Sequence, residues 1–335
     1  MRADQTLMYR EAAEAPAAIA RQWQANVAAR DELAARLKSL RPKLIFTCGR
    51  GSSDHAATYA KYLFETQLGI PTLSHAPSIV SVYGRHLLNM EGQLFLLISQ
   101  SGKSPDLLMS AEAARQGGAL VVALVNDMHS PLAGLADIAV PLHAGPERSV
   151  AATKSYIASL FAIAALVARW RDDKALEDDC ATLPPVLERV FAADWTPAMP
   201  LLEKARSLFV LGRGLTLGVA QEAALKFKET CGIHAEAFSM AEVAHGPMAL
   251  VKPGFPLLVF PPRDEAAANL EMALEGFAPR GAVIIDGGEN CGSLNPVLAP
   301  IAMIQGFYRL VNALSVARGF DPDHPPSLRK VTETR

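Results

Sequence analysis

Leu44-Ile45-Phe46-Thr47-Cys48-Gly49-Arg50-Gly51 reads as a buried strand running into a glycine turn, with a helical pattern after it. The same order returns half a chain later in Leu208-Phe209-Val210-Leu211-Gly212-Arg213-Gly214. The chain therefore reads as one α/β unit used twice, and its 335 residues fit two domains of ordinary size. The copies then diverge. Hydroxyl side chains cluster around the first turn and ionisable ones follow the second, which suggests that one half holds a ligand and the other acts on it.

Outward from the first turn, apolar runs recur at Leu44–Cys48, Leu94–Ser99, Leu120–Val125 and Ile138–Leu142, with helical patterns between them. Such alternation predicts a parallel sheet covered on both faces. The second half repeats it at Leu208–Leu211, Pro256–Phe260 and Ala282–Asp286, and Gly118-Ala119-Leu120-Val121-Val122 is echoed by Gly281-Ala282-Val283-Ile284-Ile285. The expected organisation is a helical arm over residues 1–41, a first domain over 42–171, a linker helix over 172–200 and a second domain with a tail over 201–335. The fold class is α/β, two tandem doubly wound parallel sheets flanked by helices.

Composition narrows the function. Half the residues are hydrophobic, a fifth are charged and the formal charge is −2, which offers no electrostatic attraction to nucleic acid or an anionic membrane. Cys48, Cys180, Cys231 and Cys291 show no metal-ligand spacing and read as reduced thiols of a cytoplasmic protein, with no metal site. The charged, Ala-rich start lacks the apolar core of a signal peptide, and the apolar stretch Ile157–Val167 is too short to span a bilayer.

Gly49-Arg50-Gly51-Ser52-Ser53-Asp54 starts like a dinucleotide fingerprint but has Asp54 where the third glycine belongs, so no nucleotide cofactor is expected. What remains is a glycine turn delivering Ser52 and Ser53 to a helix N-terminus. Ser99-Gln100-Ser101-Gly102-Lys103-Ser104-Pro105-Asp106 also follows a strand, with Ser104 at an N-cap and Pro105 at the first helical position. One such loop reads best as helix capping. Two at adjacent strand ends favour a phosphate cradle. The second half, with Leu215 and Pro261-Pro262-Arg263-Asp264 at the matching places, provides none.

Glu222, Lys226 and Glu229 share one helix face opposite Ala220, Ala223, Ala224, Phe227 and Cys231. Spacing alone reads them as a solvated salt-bridge stripe. His234, Glu236, Glu242 and His245 follow closely, and His245 before Gly246-Pro247 belongs on a turn.

The chain resembles the sugar isomerase (SIS) family, and within it the isomerase half of glutamine-dependent glucosamine-6-phosphate synthases. The matching stretches are Gly51-Ser52-Ser53-Asp54-His55-Ala56, Ser99 to Ser104, Val150-Ala151-Ala152-Thr153-Lys154, Glu222 through His245-Gly246-Pro247, and Pro326-Ser327-Leu328-Arg329-Lys330. The resemblance implies that Ser52, Ser53, Ser99, Gln100, Ser101 and Ser104 hold the phosphate of a hexose or hexosamine 6-phosphate, with Val150 and Ala151 beside the sugar. It implies that Glu229 moves a proton between C1 and C2, assisted by Lys226 and Glu222. It also implies that Lys330 forms an imine with a ketose and that His245 opens the ring from the neighbouring subunit of a homodimer. No cofactor is implied.

Lys103 departs from the family's acidic residue, Arg50-Gly51 lengthens the first turn, and with under fifty residues before the first strand the chain is expected to lack the family's glutaminase. The expectation is a deaminase converting glucosamine 6-phosphate and water to fructose 6-phosphate and ammonia. A fructosamine-6-phosphate deglycase, a galactosamine-6-phosphate deaminase/isomerase, an ammonia-using synthase and a non-catalytic sensor stay open.

Overall fold

Two all-parallel sheets organise the chain, whose computed structural model describes residues 1–330 apart from the side chains of 269 and 271. Residues 331–335, the end of the expected second domain, lie outside the described residues. The first sheet has the order β2-β1-β3-β4-β5, with β1 Ile45–Cys48, β2 Thr72–Ser74, β3 Leu94–Ser99, β4 Leu120–Val125 and β5 Ile138–Pro141. The second has the order β7-β6-β8-β9, with β6 Ser207–Gly212, β7 His234–Ser239, β8 Pro256–Val259 and β9 Val283–Asp286. Every apolar run quoted above became a strand. The sequence reading missed β2 and β7, both at sheet edges.

The strand order explains where ligands can go. In each sheet the chain leaves the first strand toward one edge and later returns to build toward the other. The reversal falls between β1 and β3 in the first sheet and between β6 and β8 in the second. Helices leave such a pair of strands to opposite faces, so a crevice opens at their carboxyl ends. The glycine turns lie there. A Cβ on Gly49 would stand 2.8 Å from the carbonyl carbon of Ser53, and one on Gly212 would stand 2.5 Å from the carbonyl oxygen of Thr216. Only glycine lets strand and helix backbones approach so closely.

One compact unit contains the first sheet, formed by Ala17–Glu147, Lys154–Thr182 and the chain from Arg329. Its core helix, Lys154–Arg171, is buried on all sides and packs on the helices Ser52–Leu68 and Val27–Leu40. The other unit contains the second sheet, formed by Met1–Pro16, Arg148–Thr153 and Leu183–Leu328. Here the buried Ala299–Ala317 helix packs on Leu217–Cys231, with Phe227 and Phe307 edge to face at 5.1 Å. The N-terminal arm is thus divided. Gln22 donates to the Leu142 and Ala158 carbonyls in the first unit, whereas Thr6 pairs with Asn312 and the Ala12 carbonyl accepts from Gln305 in the second. The region read as a linker holds the helix Lys174–Phe191, a 3₁₀ turn at Thr196–Ala198 and the start of the helix Met199–Lys204; the division between the units falls in the first of these just before Pro184-Pro185, where two backbone donors are missing.

Candidate active site

The two serine loops follow neighbouring strands, since Cys48 of β1 pairs with Leu97 of β3. Ser52 and Ser53 are the first two residues of the Ser52–Leu68 helix and are half-buried. After β3, the buried Ser99 hydroxyl accepts the Gly102 amide at 3.0 Å and closes the loop. Gly102 has φ +63°, and a Cβ there would lie 2.2 Å from the Ser130 hydroxyl, so no larger residue fits. Gln100, Ser101 and Ser104 stay half-buried at the rim. Ser104 occupies the N-cap position and Pro105 the first turn, as expected, yet the Ser104 hydroxyl makes no capping bond. Capping therefore does not account for this serine.

Arg50 connects the loops. Its Nε and Nη2 donate to one oxygen of the fully buried Asp106 at 2.8 and 2.6 Å. Lys103 pairs with Asp127 at 3.3 Å.

In the second unit the expected solvated stripe proves to be buried. Glu222 is 0% and Lys226 1% exposed, and Glu229 keeps 21% exposure. The Lys226 ammonium donates to Glu229 at 2.7 Å and lies 3.2 Å from Glu222, which also accepts the Tyr308 hydroxyl at 3.1 Å. Burial works to lower the Lys226 pKa, but Glu222 and then Glu229 outweigh it, so the value rises and the ammonium stays protonated. Spacing placed the three on one face, but it could not show that the Ala299–Ala317 helix and its Tyr308 cover that face. Glu229 lines an open cavity of about 340 Å³ with Leu225, Lys228, Gly232, Phe320, Pro326 and Leu328. Chemically, this is a carboxylate with a fixed proton donor behind it and space in front.

His245 ends a short 3₁₀ turn, Glu242–His245, before Gly246 at φ +144°. It is exposed and makes no hydrogen bond among the described residues. His234 and Glu236 lie exposed on β7. Lys330 donates to Glu147 at 3.2 Å in the first unit. Glu147 was not singled out from the sequence. It is buried and also accepts the Ser155 amide and hydroxyl, at 3.1 and 2.6 Å. Its only sequence signal is an acid in a Gly-Pro turn between a strand and a buried helix. Val150 and the buried Ala151 sit on a segment held by Glu11, which accepts the Arg148 and Ser149 amides, and by the Asp323 carbonyl, which accepts the Val150 amide.

The four thiols are free and buried, and burial pushes each up to about 12. Among the described residues no group of three or more His, Cys, Asp or Glu is placed to hold a metal ion, and no helix is long and apolar enough to cross a membrane.

The model of the SIS domain matches residues 40–169 and 201–285, which take in both sheets' first strands and both glycine turns. A glutamine–fructose-6-phosphate aminotransferase of Thermococcus kodakarensis is 32% identical over 86% of this chain and 51% of its own length. The chain spans about half the length of the curated relatives it matches. A solved structure from Silicibacter pomeroyi DSS-3, named as a candidate phosphosugar isomerase, is 41% identical, covers 95% of this chain and 100% of its own, and superimposes with a TM-score of 0.89. The C-terminal domain of the glucosamine-fructose-6-phosphate aminotransferase of Francisella tularensis is 26% identical over 96% of this chain and 98% of its own, with a TM-score of 0.85. Family match, duplicated fold and near full-length similarity agree, and the chain belongs to the SIS domain family.

Proposed function

We propose that the chain is an amino-sugar phosphate deaminase, converting glucosamine 6-phosphate and water to fructose 6-phosphate and ammonia. The observation that carries this reading is Lys226 sealed between Glu222 and Glu229, with Glu229 lining a cavity. In this reading the serine loops take the phosphate and His245 opens the ring. Glu229 removes the C2 proton and returns it to C1, and the buried Lys226 ammonium fixes the carboxylate's position and charge. The enolamine becomes a C2 iminium, which water hydrolyses with loss of ammonia. His245, exposed and with no hydrogen-bond partner among the described residues, is suited to act on the substrate of a second copy, and we propose a homodimer on that reading. Lys330 would form an imine only after passing a proton, and Glu147 is the base in contact with it.

Incubating the protein with glucosamine 6-phosphate should release ammonia and fructose 6-phosphate in equal amounts. Substrate binding without either product would overturn the proposal in favour of a sensor.

A further inference from the structure

We propose that Arg50 is a cationic ligand of the substrate's phosphoryl group, held in position by Asp106. This rests on the reading of the serine loops as a phosphate cradle. Apart from Lys103, whose ammonium pairs with Asp127 at 3.3 Å, the Gly49-Arg50-Gly51 turn and the loop after β3 otherwise present hydroxyls and backbone amides, neutral donors that carry no full charge toward a dianion. Arg50 supplies one. Its Nε and Nη2 both go to Asp106 Oδ2, while Oδ1 takes the Leu107 amide at 2.8 Å. Asp106 is 0% exposed and sits in the first turn of the Pro105–Gln116 helix, beside Ser104. The Arg50 side chain remains 48% exposed.

Asp106 occupies only part of the guanidinium's fork of donors, so the rest stays available and points in a fixed direction. A guanidinium oriented by a buried carboxylate loses little freedom on meeting a second anion, which suits bidentate recognition of phosphate. The second repeat offers a contrast. Arg213 stands at the same place in Gly212-Arg213-Gly214, where Leu215 replaces Ser52 and the Thr216 hydroxyl is taken up by the Phe260 carbonyl, and it makes no ion pair among the described residues. Captured arginine and serine loop occur together.

The competing role is a staple between loops, and phosphate itself distinguishes the two. Inorganic phosphate is titrated calorimetrically into the full chain. Arg50→Gln is expected to weaken binding by about 10–100-fold, as for one hydrogen bond to a charged group, with Arg50→Lys recovering part of it. The preference for phosphate dianion over monoanion should flatten in the same variant. Arg50→Gln leaves Asp106 buried without its cation, so Arg50→Gln/Asp106→Asn is made as well. It removes both charges, should fold by circular dichroism, and should still bind poorly. A folded double variant that binds phosphate within twofold of wild type overturns the proposal, as does a wild-type protein that binds no phosphate. Absence of ammonia release with Arg50-dependent phosphate binding intact sinks the deaminase reading and leaves this assignment standing.

Discussion

Both repeats turn a strand into a helix across Gly-Arg-Gly, and both need the first glycine because helix backbone presses on it. Beyond that point they part. In the first repeat the helix begins at once with Ser52 and Ser53, so its polar tip faces the crevice. In the second a 3₁₀ turn, Gly214–Thr216, comes first, and the buried Thr216 hydroxyl donates to the Phe260 carbonyl at 2.8 Å. That closes the tip, and the helix instead uses its side, where Glu222, Lys226 and Glu229 meet. On the proposed reading, one backbone design thus supports an anion cradle or a proton-transfer group, depending on which part of the helix stays open.

The comparison can be broken at its most demanding point, the helix side. Glu229→Gln should lower ammonia release by about 10²–10⁴-fold, the usual loss for a general acid–base group, with the fold retained. Next in size, Lys226→Met leaves Glu222 buried without its cation and should cost about 3–5 kcal/mol in chemical denaturation. Because the Lys226 pKa is raised, its stabilisation is complete below the ordinary lysine value of 10.5 and is lost only as pH rises past it. Wild-type and Lys226→Met stabilities should therefore keep a constant gap between pH 7 and 9.

At the helix tip the effects shrink. Gly102→Ala must push the Ser130 hydroxyl aside at positive φ, so about 1–3 kcal/mol should be lost, with weakened sugar-phosphate binding. Ser104→Ala is the most discriminating small change. A capping serine would lose about 0.5–2 kcal/mol on this replacement, but Ser104 makes no capping bond. Thermal stability should stay unchanged while the KM for the phosphorylated substrate rises.

The strands legible in the sequence are those with continuous apolar runs. β3 and β4 are buried at all six positions, which is what a parallel strand covered on both faces requires. β2 and β7 were missed because each keeps polar residues on an open side. Thr72-Leu73-Ser74 is short, and His234 and Glu236 are exposed on a strand whose residues read as a cluster of functional groups. The serine loops were legible because capping and glycine signals are local. The Glu147–Lys330 and Arg50–Asp106 pairs were not, because their members are distant in sequence and meet only after folding. Spacing likewise put Glu222, Lys226 and Glu229 together without revealing their burial, which turns an ordinary surface stripe into a largely buried ion triad.

Division of labour between the repeats is tested most directly by titrating fructose 6-phosphate into the Glu229→Gln protein by calorimetry. The account predicts affinity within a few-fold of wild type, against a large loss for a Ser101→Ala/Ser104→Ala protein measured in parallel. If the glutamine variant loses the ligand as completely as the serine variant does, capture and proton transfer are not separate tasks and the account is wrong.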